Sequence, residues 1–504
     1  MHNYCFFSIL MLIFVNVSLA AVTHLQPVTI VISLDGFYYK YLERNMTPNI
    51  VKLRDEGVSA PYMINIFPTK TFPNHFSMAT GQYAEDHNVL DNLVFDPILN
   101  KTVGYSEELF TKGNSTVPFW IVNEKSGKNK YSGVMMWPGG DYRYQGLLPT
   151  HQKSFDLACD FNKRIDIVIE WITNSSTPAN LVFLYIEEPD STGHKFGPDS
   201  VEVDNSLRRV DETIGYLESS LKNNKVNNYN LIIMSDHGMT PISSSKLIDL
   251  TKFLTNNTYH FDTVSPILGV TANKGFEEEV AEKLKKAASE KDSHFKFYKR
   301  DDIPDDWRYK NSFRAPPYIL IADHGYAFND AYKSIEWYAK NANRTLTPDS
   351  IFGLHGYVPE DDCMHPIFMA KGPSFKSRHV VKPFKNVDLF ALFANLVDAD
   401  ISAYRHSGDF RRVADLLAVQ PDHIISPANR PLIAPIVAVI FGVLSVLVIA
   451  SLFFAIRYFK SKPTESIKWI TPGPRSHNTT YNVEYTALED CHLLAVVSES
   501  DEAT

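Results

Sequence analysis

Three short apolar runs, at residues 28–34, 181–186 and 231–234, each lead to an acidic residue, respectively Asp35, Asp190 and Asp236. Runs of this length that are rich in Val, Ile and Phe predict buried strands of a parallel sheet. Ligands of such sheets bind beyond the carboxyl ends of the strands. Three carboxylates gathered at that edge repel one another unless a cation compensates them. The pattern therefore predicts a metal site.

Histidines accompany these acids. His194 follows Asp190 by four residues, His237 is adjacent to Asp236, and His355 lies in a glycine-flanked stretch late in the chain. Imidazole and carboxylate ligands without thiolate are typical of catalytic Zn²⁺. A lone Asp-His pair is more often a capped turn or a solvated loop, so the metal interpretation depends on the three strand-end acids together.

A similar pattern occurs at residues 319–325, where an apolar run ends in Asp323, His324 and Gly325. The acids and histidines named above fit two metal ions and already supply enough ligands for them. We therefore interpret Asp323 and His324 as structural residues at the end of a strand.

A candidate nucleophile lies in the stretch Pro-Thr-Lys-Thr-Phe-Pro-Asn-His at residues 68–75, before a predicted helix at 76–80. The hydroxyl of Thr71 is a poor nucleophile at neutral pH unless a base or a metal ionises it. Such a stretch in isolation is more often a tight proline turn.

These motifs, with Asp91-Asn92 and with Glu-Glu-Pro-Asp-Ser-Thr-Gly-His at 187–194, resemble the nucleotide pyrophosphatase/phosphodiesterase family of the alkaline phosphatase superfamily. They follow the family's order from about residue 28 to about residue 415. With no somatomedin-B-like domain expected before this region and no nuclease-like domain after it, the chain resembles the short members, nearest to the fourth and fifth of the vertebrate set.

The resemblance implies an alkaline-phosphatase-like α/β fold with a mixed, mostly parallel central sheet and helices on both faces. It implies two zinc ions, one held by Asp35, Thr71, Asp236 and His237 and the other by Asp190, His194 and His355. Thr71 would attack phosphorus, while Asn92 and the backbone N–H of Phe72 would donate to a non-bridging oxygen. The second metal would stabilise the leaving oxygen and then supply hydroxide to hydrolyse the phospho-threonine.

The expected activity is hydrolysis of nucleotide pyrophosphates, such as dinucleoside polyphosphates, NAD and nucleotides, to nucleoside monophosphate. Phe72 and Phe155 could sandwich the base, although a core position for Phe155 is equally open. Two alternatives remain, a choline or lysophospholipid phosphodiesterase and an inactive adhesion or receptor ectodomain.

Composition favours a large folded domain. The chain has 504 residues, is 44% hydrophobic and carries a net charge of −9, with a pI near 6.0. The negative charge argues against a nucleic-acid duplex as a partner. Within the catalytic region, residues 202–223 predict an amphipathic helix with an apolar core-facing stripe, and residues 276–290 predict a second helix.

The predicted organisation has five parts: a signal peptide at 1–20, a catalytic domain at 21–415 with a capping insertion at 239–316, a stalk at 416–430, a transmembrane helix at 431–456, and a disordered cytoplasmic tail at 457–504. Basic residues after the apolar span predict a type I orientation at the plasma membrane. Extracellular glycosylation is then expected at Asn100, Asn114, Asn174, Asn256 and Asn343. The tail stretches Tyr485–Leu488 and Glu489–Leu494 resemble signals read by clathrin adaptors, which predicts endosomal cycling.

The predicted ectodomain contains two cysteines, Cys159 and Cys363. An even number in an oxidising compartment makes a disulfide possible, but their spacing leaves the bridge open.

Overall fold

A computed structural model of the protein describes residues 26–112 and 116–418, together with Ser451 and Arg457. The β-strands of these residues are β1 Val28–Leu34, β2 Val58–Ala60, β3 Val94–Asp96, β4 Lys101–Val103, β5 Tyr131–Met135, β6 His151–Lys153, β7 Ala179–Ile186, β8 Tyr229–Met234, β9 Thr240–Ser243, β10 Leu247–Ile248, β11 Tyr259–Phe261, β12 Ile267–Ala272, β13 Phe295–Lys299, β14 Tyr318–Ala322, β15 Ala327–Phe328, β16 Ile351–Leu354, β17 Phe368–Lys371 and β18 His379–Val380. The α-helices are α1 Pro48–Glu56, α2 Thr71–Thr80, α3 Ala84–His87, α4 Glu107–Phe110, α5 Phe119–Lys125, α6 Phe161–Ile172, α7 Asp190–Phe196, α8 Val201–Asn223, α9 Glu277–Ala288, α10 Tyr332–Asn341, α11 Leu389–Val397 and α12 Phe410–Val413.

The central sheet has eight strands in the order β18-β2-β17-β8-β1-β7-β5-β6. Strands β8, β1, β7, β5 and β6 are mutually parallel, whereas β17 runs antiparallel to both of its neighbours. The three apolar runs predicted as strands are β1, β7 and β8, which lie side by side in the middle of the sheet. The mixed, mostly parallel sheet expected from the sequence is confirmed.

Helices cover both faces of this sheet. On one face, a Cβ at Gly133 would contact both Trp171 of α6 and the side chain of Val182. On the other face, the next residue, Phe183, packs edge-on against Trp120 of α5 and Phe393 of α11. Since successive residues of a strand point to opposite faces, the two sets of helices form separate layers.

The predicted amphipathic helix is α8, and its bounds agree with the predicted 202–223 to within one residue. All five residues of its apolar stripe are fully buried: Leu207, Val210, Ile214, Leu217 and Leu221. Its 3.6-residue period therefore faces the core, as predicted.

The insertion differs from the prediction in content and in length. It contains a second sheet, in the antiparallel order β11-β12-β14-β13, against which α9 packs with its own buried apolar cluster. The predicted boundary at residue 316 is too early, because β14 at Tyr318–Ala322 is a central strand of this second sheet. The antiparallel pair β9 and β16 closes the insertion at Leu354.

Several sequence predictions fall outside the described residues: the signal peptide at 1–20, Asn114, most of the stalk, and all of 431–504 except Ser451 and Arg457. Over the described part of the chain, no helix is long and apolar enough to cross a membrane. The other predicted glycosylation sites Asn100, Asn256 and Asn343 are exposed, and Asn174 is partly exposed.

Cys159 and Cys363 are both free in this structure. Cys159 is buried just before α6, whereas Cys363 is partly exposed in the segment that follows His355. The possible disulfide between them is not formed.

One buried arginine fastens the insertion to the core. The Arg314 guanidinium donates to Asp96 Oδ2 from Nε at 3.1 Å and from Nη2 at 2.9 Å. It also donates to the backbone carbonyls of Asn88, Leu109 and Glu108. Because both side chains are fully buried, loss of the guanidinium would leave a buried carboxylate with only Lys112, 3.9 Å away, as a charge partner.

Arg314→Met is therefore expected to lower the free energy of unfolding by about 3 kcal/mol or more, measured by chemical denaturation of the purified protein. The control is Lys101→Met, which removes a half-exposed ion pair with Glu108 in the same region and should leave the denaturation midpoint nearly unchanged. Equal midpoints for the two variants would contradict the role of Arg314.

Candidate active site

The parallel strands bring two of the three acids directly together. Leu34 pairs with Ile186 and Ser33 with Met234, so Asp35 and Asp236 leave the sheet at the same edge. The backbone N–H of Gly36 donates to Asp236 Oδ1 at 3.2 Å.

Gly36 also allows the third acid to approach. Its φ is +67°, and a Cβ there would lie 2.8 Å from the Cβ of Asp190. Only glycine fits this turn without strain. The backbone N–H of Asp190 donates to the carbonyl of Asp35 at 3.0 Å, which fixes the third carboxylate at the start of α7.

Each of the three acids has one buried oxygen with no hydrogen-bond partner among the described residues, namely Asp35 Oδ1, Asp190 Oδ1 and Asp236 Oδ2. Buried polar atoms are nearly always satisfied, so an orphan oxygen needs an explanation. Three orphan carboxylate oxygens that face nearby imidazoles fit a site that binds cations.

The three histidines are oriented alike. Nδ1 of His237, His194 and His355 lies 2.9, 2.8 and 3.0 Å from the backbone carbonyls of Gly238, Gly353 and Thr69, respectively. A proton on Nδ1 makes each of these a hydrogen bond and leaves the Nε2 lone pair free. This is the usual arrangement of a histidine that binds a metal through Nε2.

The ligand atoms fall into two adjoining groups. His237 Nε2 lies 3.3 Å from Asp35 Oδ1, 3.1 Å from Asp236 Oδ2 and 3.3 Å from Thr71 Oγ1.

In the second group, Asp190 lies between two imidazoles, with Oδ2 3.4 Å from His194 Nε2 and Oδ1 3.6 Å from His355 Nε2. The rings of His237 and His355 stack with centroids 3.5 Å apart, so the two groups are neighbours. The structure brings all seven predicted ligands together.

The electrostatics of the site also favour a cation. Burial, together with the charges of Asp236 and Asp190, holds the pKa of Asp35 well above its ordinary value. Burial acts in the same direction on Asp236, but His237 and His75 outweigh it and lower its pKa. Burial and the neighbouring His237 and His194 hold the pKa of His355 well below its ordinary value, so this ring is neutral and able to bind a metal.

Thr71 is the first residue of α2, so the helix begins five residues earlier than the predicted 76–80. The prolines in this stretch suggested a turn, but Pro73 occupies the first turn of the helix, where its missing N–H breaks no helical hydrogen bond. The positive end of the α2 dipole therefore lies at Thr71, and it favours a bound phosphate.

The N–H of Phe72 differs from the prediction. It donates to Asn92 Oδ1 at 2.8 Å instead of pointing freely at the site. This contact positions the Asn92 side chain and leaves its NH₂ group as the available side-chain donor.

Sequence reasoning assigns no role to three residues around these ligands, Tyr185, His75 and Lys70. The Tyr185 hydroxyl donates to Asp35 Oδ2, and His75 Nδ1 lies 3.3 Å from Asp236 Oδ2. Lys70, which is almost fully buried, lies 3.3 Å from Asp91 and donates to the carbonyls of Val264 and Ser265 in the insertion. Thr71 and His75 are one helical turn apart, so their spacing places His75 on the same face of the helix as the nucleophile. No comparable sequence signal exists for Tyr185 or Lys70.

Aromatic side chains border the nucleophile. Phe72 is half-buried, with Tyr105 and Phe110 near its ring. Phe155 is 43% exposed and its ring centroid lies 6.0 Å from that of Tyr185, the partner of Asp35. Phe155 is therefore a surface residue near the site and not a core aromatic.

A cavity of about 190 Å³ opens on the side of the second ligand group. Its lining includes His194, His355, Lys70, Asn92 and Tyr338. The Tyr338 ring stacks on His194 with centroids 5.0 Å apart, so α10 of the insertion forms one wall beside the candidate metal ligands.

Asp323 and His324 lie outside this site, as predicted. Both are exposed at the end of β14, and His324 Nδ1 lies 2.7 Å from Asp361 Oδ2. Because β14 belongs to the antiparallel sheet of the insertion, its carboxyl end does not reach the edge where β1, β7 and β8 converge.

The sequence of residues 29–357 matches the family described as type I phosphodiesterase / nucleotide pyrophosphatase. The chain belongs to this family. Human ectonucleotide pyrophosphatase/phosphodiesterase family member 5 is 34% identical over 439 residues, which cover 85% of this chain and 87% of that relative. The human bis(5'-adenosyl)-triphosphatase ENPP4 is 31% identical over 401 residues, which cover 79% and 83% of the two chains.

The fold has close matches among solved structures. An inactive form of murine ectonucleotide pyrophosphatase/phosphodiesterase 5 in complex with AMP is 34% identical, with a TM-score of 0.70 over 78% of this chain and 100% of that chain. The protein is thus an enzyme of the phosphodiesterase and nucleotide pyrophosphatase class. The family is metal-dependent, and two clusters in the site, Asp35-Asp236-His237 and Asp190-His237-His355, could each hold an ion.

Asp236→Asn should strongly reduce metal content and abolish hydrolysis, because an amide is a poor metal ligand and removes the negative charge that Asp236 supplies. The matched control, Asp323→Asn, changes the same residue type at the end of the other Asp-His motif and should retain full metal content and activity. Mass spectrometry of metals in the two purified variants makes the comparison. Metal loss in the Asp323 variant alone would mean that the wrong pair had been assigned.

Proposed function

We propose that the protein hydrolyses extracellular nucleotide pyrophosphates to nucleoside monophosphates through a covalent phospho-threonine on Thr71, with two zinc ions as cofactors. The observation that carries the proposal is the set of three orphan carboxylate oxygens and three Nε2 atoms beside a threonine at a helix N-terminus. A surface threonine without a catalytic role would not be surrounded by these groups.

The residues fit two cations. Asp35, Thr71, Asp236 and His237 would hold one, and Asp190, His194 and His355 would hold the other; when bound, the ions supply positive charge that ionises a hydroxyl or a water and neutralises the phosphoryl and leaving oxygens. Imidazole and carboxylate donors without thiolate favour zinc.

The side chains of the site divide the remaining tasks. The Thr71 oxygen forms the new bond to phosphorus, and the bond from phosphorus to the leaving oxygen breaks, which leaves a phospho-threonine whose phosphorus still carries the nucleoside. The NH₂ group of Asn92 would donate to a non-bridging oxygen, and the positive end of the α2 dipole would face the same oxygens. Water then attacks the same phosphorus, and the phosphorus–Thr71 bond breaks to release the nucleoside monophosphate.

Aromatic residues for the base and a cavity for the leaving group would orient the substrate. Phe72, beside the nucleophile, and Phe155, near Tyr185, would stack on the base. The cavity beside His194 and Tyr338 would receive the leaving group. One relative is named as a bis(5'-adenosyl)-triphosphatase and another was solved with AMP, which supports an adenine nucleotide as one product.

A choline or lysophospholipid phosphodiesterase is the competing activity. It would use the same metal ligands and Thr71 but would need acidic or aromatic groups around a quaternary ammonium head group. The inactive adhesion or receptor alternative is inconsistent with membership of an enzyme family in which the candidate nucleophile and ligands come together.

Two chromogenic esters separate the activities. The p-nitrophenyl ester of thymidine monophosphate should be hydrolysed much faster than p-nitrophenyl phosphocholine, and Thr71→Ala should lower turnover about a thousandfold or more. Thr71→Ser is the matched control, because it keeps an attacking oxygen and should retain part of the activity. A preference for the phosphocholine ester would reject the nucleotide proposal, and a tenth of wild-type turnover in Thr71→Ala would reject the nucleophile.

We also propose that the catalytic domain lies outside the cell, anchored by the apolar segment at 431–456 in a type I orientation. The proposal rests on the sequence: a stretch without charged residues followed by Arg457, Lys460 and Lys462. Contact of the Tyr485–Leu488 and Glu489–Leu494 stretches with clathrin adaptors would remove the enzyme from the cell surface.

Replacement of Tyr485, Leu493 and Leu494 by alanine should therefore raise the amount of enzyme labelled by a membrane-impermeant reagent and slow antibody uptake. Removal of residues 431–504 should release active enzyme into the medium. Retention of the truncated protein inside the cell would count against the proposed location, and unchanged antibody uptake would count against the adaptor signals alone.

A further inference from the structure

The second Asp-His-Gly motif, which the catalytic site does not use, contributes to a different cluster. His324 Nδ1 lies 2.7 Å from Asp361 Oδ2. The thiol of Cys363 completes the group, and the three candidate ligand atoms all lie within 4.8 Å of one another. A histidine, a carboxylate and a free cysteine at this spacing form a donor set that the catalytic site lacks.

The cluster is held in place from both sides. Asp361 Oδ1 accepts a hydrogen bond from the backbone N–H of Cys363 at 3.0 Å, which starts a short 3₁₀ turn at Asp362–Met364. The buried Tyr357 donates through its hydroxyl to the carbonyl of Tyr326 at 2.7 Å. This bond ties the segment before Asp361 to the loop that carries His324.

We propose that His324, Asp361 and Cys363 form a binding site for one thiophilic divalent cation of the zinc type, separate from the catalytic ions. Nitrogen, oxygen and thiolate donors together suit Zn²⁺ and its heavier analogue Cd²⁺. A water molecule would complete a four-coordinate site, because His324 is exposed to solvent.

Binding would require changes that the neighbouring groups allow. Burial, with a smaller contribution from Asp361, raises the pKa of the Cys363 thiol, so the sulfur is protonated without an ion. The cation would displace that proton to solvent and bind the thiolate. The cation would also replace the proton of the hydrogen bond between His324 Nδ1 and Asp361 Oδ2.

The position of the cluster gives the ion a structural consequence. His324 belongs to the insertion, whereas Asp361 and Cys363 belong to the segment that returns to the central sheet, so the ion would cross-link the two. The carbonyl of the next residue, Met364, accepts hydrogen bonds from the N–H of Gly238 at 3.0 Å and from Asn65 Nδ2 at 2.8 Å. The cross-link would therefore lie beside the backbone that follows the catalytic His237.

Cadmium is the appropriate probe, because a Cd²⁺–thiolate bond has an ultraviolet charge-transfer band that carboxylate and imidazole ligands do not produce. Titration of the purified, zinc-loaded protein should give a band that saturates at one Cd²⁺ per chain. Cys363→Ser should abolish it, and His324→Ala should weaken binding at least about tenfold. The difference between wild type and Cys363→Ser cancels any contribution from other thiols.

Two matched variants complete the test. Asp323→Asn, next to His324 but outside the cluster, and Cys159→Ser, the other cysteine of the described domain, should both keep the band. Three outcomes would overturn the proposal: a band that survives in Cys363→Ser, equal affinity in wild type and His324→Ala, or a Cys363 that thiol alkylation shows to be blocked in the native protein.

Discussion

Three buried carboxylates at one edge of a parallel sheet set the main constraint on this structure. Asp35, Asp190 and Asp236 cannot share so small a volume as anions without compensating positive charge, and each keeps one buried oxygen without a hydrogen-bond partner among the described residues. The surroundings are arranged for that charge. Backbone carbonyls hold the three histidine rings so that Nε2 faces the acids, and Thr71 is placed where a helix begins. The catalytic chemistry follows from how the site balances this charge.

Much of the central sheet and of the ligand set could be predicted from sequence for one physical reason. Strands buried on both faces are continuous apolar runs, and the residue after each run must emerge at the ligand-binding edge. The same reasoning does not distinguish β14, whose apolar run resembles the others although it lies in an antiparallel sheet. Asp323 and His324 are excluded from the site only because other residues already supply its ligands. The period of a single strand does not reveal its partners, so the predicted insertion ends at residue 316, before β14. The predicted start of α2 is too late, because Pro73 is typical of a turn when its position within the helix is unknown.

Contacts between residues that are distant in the chain cannot be predicted from the sequence pattern alone. The hydroxyl of Tyr185 reaches Asp35 only because β1 and β7 are neighbours, and Lys70 reaches Val264 and Ser265 only because the insertion folds back over the nucleophile. Phe155 was equally compatible with a core and a surface position, and its 43% exposure resolves the question. Base recognition and leaving-group selectivity depend on contacts of this kind, which explains why the reaction class can be derived more readily than the preferred substrate.

The bonds that orient the site are made mostly to main-chain atoms. His237, His194, His355 and Lys70 all bond to carbonyl oxygens, those of residues 238, 353, 69, 264 and 265. A carbonyl is present whatever the side chain of its residue. At the accepting positions whose side chains have no other task, such as Val264, the identity of the residue can therefore drift while the geometry of catalysis stays fixed. An engineer who exchanges the insertion for that of a relative would accordingly need to preserve the path of the backbone past Lys70 and His194, and would be free to rewrite much of the sequence along it.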